Sequence, residues 1–146
     1  RNNIDFSGYK PSTLCRRLRQ RMTLVRCDDA AAYGERIADD EAERNALCQD
    51  LLINVTEFFR DPAVFSLLDE EVLPDLLRGR DPGDDLRLWC AGCATGEEAY
   101  SLAMLALDAS GRFGFTGNVK VFATDVHPGV LAAGSAGLYE DEAVRR

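Results

Sequence analysis

Residues 86–105 read LRLWCAGCATGEEAYSLAML, an apolar strand that passes through a glycine turn directly into an amphipathic helix. Gly92 and Gly96 let the backbone approach a ligand closely, and Glu97 and Glu98 stand where the helix begins. Because these carboxylates would repel a pyrophosphate, the turn favours a cofactor with an ammonium or sulfonium group and ribose hydroxyls. S-adenosylmethionine is such a ligand.

A second buried strand is predicted at residues 119–124, and it ends directly at Asp125. In doubly wound α/β folds, an acid at this point accepts hydrogen bonds from ribose hydroxyls. The two strands together therefore predict an α/β sheet that holds a nucleoside. A plain strand–turn–helix with Asp125 on the surface is the alternative that these residues leave open.

Three motifs carry a resemblance to a known family. They are Asn54-Val-Thr-Glu-Phe-Phe-Arg60, Trp89-Cys-Ala-Gly-Cys-Ala-Thr-Gly-Glu-Glu-Ala-Tyr-Ser101 and Phe122-Ala-Thr-Asp125, in that order. With them, the sequence resembles the chemotaxis receptor methyltransferases of the CheR type. The likeness includes Asp5-Phe-Ser-Gly-Tyr-Lys10 and Arg16-Arg-Leu-Arg19, so it covers essentially the whole chain. It implies an α/β protein with a small N-terminal helical bundle followed by a Rossmann-like S-adenosylmethionine-dependent methyltransferase sheet.

The resemblance also implies more strands than the chain contains after residue 86. We therefore expect an incomplete sheet and a chain that is a fragment of a longer protein. The clearest loop signal is Gly79-Arg-Asp-Pro-Gly-Asp-Asp85. It places an all-helical domain at 1–78, a linker at 79–85 and a partial methyltransferase domain at 86–146. Further helices are expected at 30–37, at 42–53, from Pro62, in a short turn that ends near Leu77, and from Pro128 to about Ala136.

The resemblance implies methyl transfer to the side-chain carboxylates of glutamates in chemotaxis receptors, with S-adenosylhomocysteine as the second product. The cofactor contacts that it carries over are Asn54, Thr56, Arg60, Glu98 and Asp125, to which the glycine turn adds Gly92. Arg60 is the candidate catalytic residue, because its planar fork can hold the carboxylate of the cofactor or of the substrate. The structural alternatives are helix capping by Asn54 and Thr56, and pairing of Arg60 with Asp61 or Glu57.

Residues 10–26 form a basic segment with six cationic side chains and no acid. Leu14, Leu18, Met22 and Val25 recur at helical spacing, which puts Arg16 and Arg19 on the opposite face and Arg17 on its flank. In the resembled family this helix docks the receptor's methylation region, so Arg16, Arg17 and Arg19 are candidate substrate-binding residues. A solvated helix face is the alternative. Nucleic acid is disfavoured because the chain carries a net charge of −8.

Composition fits an intracellular globular protein, since 46% of the residues are hydrophobic and 29% are charged. No stretch approaches the about 20 apolar residues that span a bilayer. Five cysteines form an odd count without the spacing of a disulfide framework, which favours a reducing compartment. We therefore expect a cytoplasmic protein without membrane insertion, whose parent protein could carry further signalling domains.

Two rival functions belong to other classes. Cys90-Ala-Gly-Cys93 has the spacing of a redox motif, but the adjacent acids disfavour a thiolate. A metal site is not expected, because His127 is the sole histidine and the cysteines are scattered. The stronger rival is a noncatalytic module, derived from a truncated methyltransferase, that binds a receptor or signalling partner. We expect these residues alone to bind the cofactor weakly and to turn over little or nothing.

Overall fold

The computed structural model describes residues 4–52, 54–81 and 83–144. The chain folds as two compact units, Arg1–Ile53 and Asn54–Arg146, which we call the helical unit and the sheet unit. The described residues of the first unit form helices and their connections, and a parallel sheet with helices builds the second unit. The predicted α/β order, a helical bundle followed by an incomplete Rossmann-like sheet, is confirmed.

The helical unit consists of α1 (Pro11–Leu24), α2 (Ala30–Asp39) and α3 (Glu41–Leu51). Aspartates begin the second and third helices: the Asp29 carboxylate accepts from two backbone N–H groups of α2, and that of Asp40 accepts from Glu43 N. The predicted apolar stripe of α1 packs on a core of Tyr33, Leu47 and Leu51. The helix predicted at 42–53 ends at Leu51, and Ile53 lies outside the described residues.

A buried ionic network crosses the helical unit. Arg21 Nε and Nη2 donate to the two carboxylate oxygens of Glu43 at 2.8 and 2.9 Å, and Tyr33 OH donates to the same carboxylate at 2.9 Å. The Glu43 side chain is only 5% exposed. Such bidentate pairing satisfies both charges inside the unit, so Arg21 is withdrawn from the basic surface of α1.

The sheet unit begins with α4 (Pro62–Leu67), a π-helical turn (Leu68–Val72) and α5 (Leu73–Leu77). It continues with β1 (Leu86–Ala91), α6 (Glu97–Phe113), β2 (Val119–Thr124), α7 (Pro128–Ala136) and α8 (Asp141–Val144). The two strands run parallel, in a register from Leu86 opposite Val119 to Ala91 opposite Thr124. No described helix combines the length and the apolar character needed to cross a membrane.

The two faces of the sheet differ. Leu86 is fully buried and packs with Leu73, Leu77, Ala106 and Ala109 between the sheet and α5 and α6. On the opposite face Trp89 is 70% exposed beside Phe122, with its indole N–H donating to Thr124 Oγ1. Alternation of side chains along each strand produces this contrast.

The division into units corrects the predicted linker at 79–85. Because Leu73 and Leu77 pack in the same cluster as Leu86, α5 belongs to the sheet unit, and the loop that follows it lies inside that unit. The boundary falls between Ile53 and Asn54 instead. Pro82, within the predicted linker, lies outside the described residues.

Candidate functional site

The turn between β1 and α6, residues 92–96, has an unusual backbone. Gly92, Ala94 and Gly96 all have positive φ angles, of 74°, 46° and 100°. Glycine adopts this left-handed region readily, whereas for alanine it costs about 1–2 kcal/mol. The turn therefore needs external contacts that hold Ala94 in place.

Those contacts come from the end of β2. Thr124 O accepts from Gly92 N at 2.7 Å and from Cys93 N at 3.0 Å. One carboxylate oxygen of Asp125 accepts from Ala94 N at 2.8 Å, and the other accepts from His127 N at 2.8 Å. Two predicted site residues, Gly92 and Asp125, thus belong to one hydrogen-bonded group at the carboxyl ends of the strands.

The Asp125 carboxylate keeps acceptor capacity after these bonds. An ionised carboxylate has about four acceptor positions, and the two N–H groups occupy one on each oxygen. The side chain is half-buried, so both of its oxygens are fixed in direction but not enclosed. This arrangement fits a vicinal diol such as that of a ribose.

Gly92 and Gly96 have different roles. A Cβ built on Gly92 would meet no atom of the described residues within 4 Å, so this side of the glycine is open to a ligand. A Cβ on Gly96 would lie 2.8 Å from Tyr139 OH and 3.2 Å from Gly134 Cα. The missing side chain of Gly96 is therefore required by internal packing. Gly96 also lines a cavity with Cys93 and Leu131, and its close approach to a ligand stays a prediction.

The paired acids at the start of α6 also differ. The Glu97 carboxylate accepts from Thr95 Oγ1 at 2.6 Å, within the turn itself. Glu98 Oε1 accepts from the Cys90 thiol at 3.5 Å, and Glu98 lines a cavity of about 400 Å³ together with Asp61 and Trp89. A cavity of this size lies within the range of ligand pockets, and the assignment of Glu98 as the acid that contacts a cofactor stays a prediction.

The segment 54–60 is a loop anchored on the first turns of α6. Phe59, with φ of 51°, donates its N–H to Ser101 Oγ at 3.0 Å, and that hydroxyl donates to Glu97 O at 2.8 Å. Arg60 Nη1 donates to Val55 O at 2.6 Å. The loop is thus held beside the end of α6 from which Glu98 projects.

The structural alternatives for this loop find little support. Asn54 and Thr56 lie outside the helices, and α4 begins after Asp61 without a side-chain cap. The Arg60 guanidinium bonds to the Val55 carbonyl. Thr56 lines a second cavity with Glu57 and Glu97. Within the described part of the chain, these polar side chains neither cap a helix nor pair with Asp61 or Glu57, so their role as ligand contacts stays a prediction.

Cys90 and Cys93 are both buried and pack with Ala99. Burial, together with the nearby Glu98 carboxylate, raises the pKa of the Cys90 thiol to about 12, and burial raises the pKa of Cys93 as well. The helix begins at Glu97, after both cysteines. A redox site needs an accessible thiolate, so these surroundings oppose dithiol chemistry. The described residues also hold no group of three or more His, Cys, Asp or Glu arranged for a metal ion.

The candidate substrate residues lie on α1 in the helical unit. Arg16 and Arg19 are exposed, and Arg17 is half-buried. Arg17 Nε is buried and has no hydrogen-bond partner among the residues that the structure describes. The predicted distribution of these cations over the helix is thus observed, while Arg21 is engaged by Glu43.

Sequence reasoning missed two residues that shape the turn. Tyr139 OH donates to Thr95 O at 2.7 Å, and Ser101 links the 54–60 loop to α6. Tyr139 lies 44 residues from its partner, so no local periodicity reveals the contact. A tyrosine two residues after Gly137 was the available signal.

A parallel strand–turn–helix–strand unit, with an acid at the end of the second strand, defines the opening part of a Rossmann-like nucleoside-binding domain. Comparison with protein-family models matches residues 54–146 to the CheR methyltransferase SAM-binding domain and residues 1–52 to the CheR methyltransferase all-alpha domain. The chain belongs to the CheR methyltransferase family, and its cofactor is S-adenosylmethionine.

Individual relatives agree with this assignment. A 104.1 kDa uncharacterized protein from the hypE 3′ region of Rhodobacter capsulatus is 44% identical over 138 residues, which are 94% of this chain and 14% of that protein. Chemotaxis protein methyltransferase 2 of Pseudomonas aeruginosa is 33% identical over 93% of the chain and 46% of its own length. The protein of that name from Vibrio cholerae is 29% identical over 99% and 50%. The chain thus spans about half the length of these two methyltransferases.

Proposed function

We propose that this chain belongs to an enzyme that methylates glutamate side chains of chemoreceptors, with S-adenosylmethionine as methyl donor and glutamate methyl esters as product. The observation that carries the proposal is the bond from Ala94 N to the Asp125 carboxylate, which fixes the turn beside the open side of Gly92. The printed names of the Pseudomonas and Vibrio relatives supply the link to chemotaxis.

The residues of the sheet unit fit the proposed cofactor by their chemistry. The fixed oxygens of Asp125 would accept from ribose hydroxyls, and Gly92 leaves room for close approach. A carboxylate at Glu98 and a guanidinium at Arg60 match the ammonium and carboxylate of an amino acid. Asn54 and Thr56 would add short polar contacts beside Arg60. When bound, S-adenosylmethionine supplies an electrophilic methyl group on a sulfonium.

Methyl transfer to a carboxylate requires mainly that the protein position the carboxylate and the methyl donor. A glutamate carboxylate is ionised at neutral pH and is already a nucleophile. No general base is needed, so the residues of the site act by holding the carboxylate in line and by excluding water. Arg60, exposed and held through one nitrogen by Val55 O, has further donors with which to orient that carboxylate.

The proposed partner is the cytoplasmic helical region of a chemoreceptor that bears the target glutamates. Arg16, Arg17 and Arg19 would dock this acidic surface on α1, since opposite charges steer association. The reaction then takes place in the cytoplasm, and neither nucleic acid nor membrane insertion takes part. The Rhodobacter relative, of which this chain covers 14%, supports a parent protein with further domains.

A methyl-transfer assay tests the proposal. The longest form that the gene encodes is incubated with methyl-labelled S-adenosylmethionine and a receptor cytoplasmic fragment. We expect label that mild alkali releases, as an ester requires, and that disappears when the receptor glutamates are replaced by glutamine. Alkali-resistant label, or label that survives those replacements, would contradict glutamate esterification.

Two comparisons extend this assay. Reversing Arg16 and Arg19 to glutamate should raise KM for the receptor while leaving kcat and cofactor affinity unchanged. Receptor binding without any transfer by the longest form would instead favour the noncatalytic binding module. Residues 1–146 alone should turn over little or nothing, and efficient transfer by them would contradict that expectation.

A further inference from the structure

The chain after α7 folds back onto the glycine turn. Tyr139 OH donates to Thr95 O at 2.7 Å, and Tyr100 OH donates to Gly134 O at 3.1 Å. The Tyr139 ring meets those of Tyr100 and Phe58 edge to face, at centroid distances of 5.7 and 5.0 Å. Tyr139 is thus held in an aromatic cluster with its hydroxyl aimed at the turn.

Two glycines make this approach possible. A Cβ on Gly96 would lie 2.8 Å from Tyr139 OH, and a Cβ on Gly134 would lie 3.0 Å from Thr95 O. Real Cβ contacts are rarely this short, so α7 and Tyr139 pack directly against the peptide that joins Thr95 to Gly96. Both sites use glycine for close packing.

The Thr95 carbonyl depends on Tyr139 for its partner. The first backbone carbonyl that accepts a hydrogen bond from α6 is that of Gly96, whose donor is Tyr100 N at 2.9 Å. Thr95 O stands one residue earlier, and its donor among the described residues is Tyr139 OH. A half-buried carbonyl that loses its partner costs free energy, so the peptide would turn to find another.

We propose that Tyr139 is a positioning residue that keeps the glycine turn in the shape that the cofactor requires. Tyr139 bonds to the turn from the α7 side, and Asp125 bonds to it from the β2 side. The inference rests on the proposed function. Ala94 in its left-handed conformation lies between these two attachments, next to Thr95. Release of either attachment lets the turn relax away from the geometry that presents Gly92 and Asp125.

The hydroxyl of Tyr139 remains a donor over the whole working range of pH. Burial, with the carboxylate of Glu97 nearby, raises its pKa to about 12. Its contribution is therefore independent of pH below about 11, where the phenol stays protonated. A phenylalanine at this position keeps the ring and removes only the donor.

The test is calorimetric titration with S-adenosylhomocysteine of the longest encoded form and of Tyr139→Phe. We expect Kd to rise roughly five- to tenfold, because the relaxed turn must recover its bound geometry at the cost of about one hydrogen bond. A modest fall in Tm should accompany this rise, since the bond also exists in the free protein. Tyr100→Phe is the matched control, since it removes a hydroxyl from the same cluster that bonds Gly134 O rather than the turn. Its Kd should stay within about twofold of the parent value.

A second variant tests the packing. Gly134→Ala places a methyl group against Thr95 O and should also raise Kd, whereas Gly111→Ala adds one in open space on the helix α6 and should not. Unchanged affinity in both Tyr139→Phe and Gly134→Ala, with binding by the parent protein, overturns this inference alone. A lowered Tm with unchanged Kd also overturns it, because that marks a purely structural role. Failure of the parent protein to bind overturns the proposed function itself.

Discussion

Glu43 in the helical unit and Asp125 in the sheet unit are both carboxylates held by several donors, but they differ in what is left over. The Glu43 oxygens receive two bonds from Arg21 and one from Tyr33, and the side chain is almost fully enclosed. The Asp125 oxygens receive one backbone N–H each, and the side chain is half-buried. The hydrogen bonds of the Glu43 carboxylate are all made within the helical unit. The Asp125 carboxylate still has positions that can accept hydrogen bonds from a ligand.

The contrast separates stabilising polar groups from binding ones. A buried charge with all its partners inside the fold is costly to leave unpaired when one partner is removed, and it offers nothing to a ligand. A carboxylate aimed by backbone donors, with positions still open, is preorganised for binding. By the same criterion Arg21 belongs to the fold, whereas Arg16 and Arg19 belong to the surface.

The largest expected effect concerns the apolar core of the sheet unit. Leu73 is 1% exposed and packs with Leu77 and Leu86, so Leu73→Ala should cost about 3 kcal/mol of unfolding free energy. Trp89, the chain's single tryptophan, reports on this unit by fluorescence in urea. The control is Leu76→Ala, at a more exposed position of α5. A loss in Leu73→Ala as small as that in Leu76→Ala would mean that α5 is not part of the core, and the linker at 79–85 would regain support.

A slightly smaller loss of unfolding free energy is expected for a substitution in the helical unit. Glu43→Ala leaves the Arg21 guanidinium without its main partner, and we expect a cost of about 2–3 kcal/mol, below the usual range because Arg21 is 21% exposed and can rehydrate. The exposed Glu41→Ala is the control. The loss should show in far-UV circular dichroism while the Trp89 transition stays in place. A change below about 0.5 kcal/mol would remove the distinction between the two carboxylates.

The acid stability of the two units gives the smallest effect. Hydrogen bonds from Arg21 hold the pKa of Glu43 below its ordinary value of 4.5, so the stability that they provide is present above pH 4.5 and is lost as pH falls through the lower, folded-state value. In the sheet unit Lys120 and Asn118 lower the pKa of Asp85 to about 2, so its contribution fades between pH 3.8 and about 2.

Urea titrations between pH 6 and 2.5 check these windows. In Glu43→Gln, the unfolding free energy measured by circular dichroism should depend less on pH in the acid range. In Asp85→Asn, only the unfolding free energy measured by Trp89 fluorescence should do so. Parallel slopes in the parent protein and in Glu43→Gln would show that other carboxyl groups control the acid response of the helical unit.

Local patterns predicted most of the elements. The strands at 86–91 and 119–124 and the helix from Pro128 to Ala136 lie where apolar runs and a helix-starting proline place them. The stripe of α1 likewise follows from helical spacing alone. Periodicity encodes such features within one segment, so a single sequence is sufficient to find them.

Features that depend on contacts between distant segments were not accessible in this way. A loop-rich composition at 79–85 says nothing about where Leu73 and Leu77 pack, and the boundary was therefore misplaced. The roles of Gly96 and Tyr139 depend on a contact 44 residues apart. The positions of Arg60 and Glu98 in the proposed site remain predictions for the same reason.

The central claim is that the Asp125 carboxylate and the turn it fixes form the cofactor site. Calorimetric titration of the longest encoded form with S-adenosylhomocysteine tests it most directly, beside Asp125→Ala and the exposed control Asp84→Ala. We predict saturable binding by the parent protein and by the control, and a loss of affinity of about tenfold or more in Asp125→Ala. Equal affinity in Asp125→Ala, with the fold intact by circular dichroism, would contradict the account.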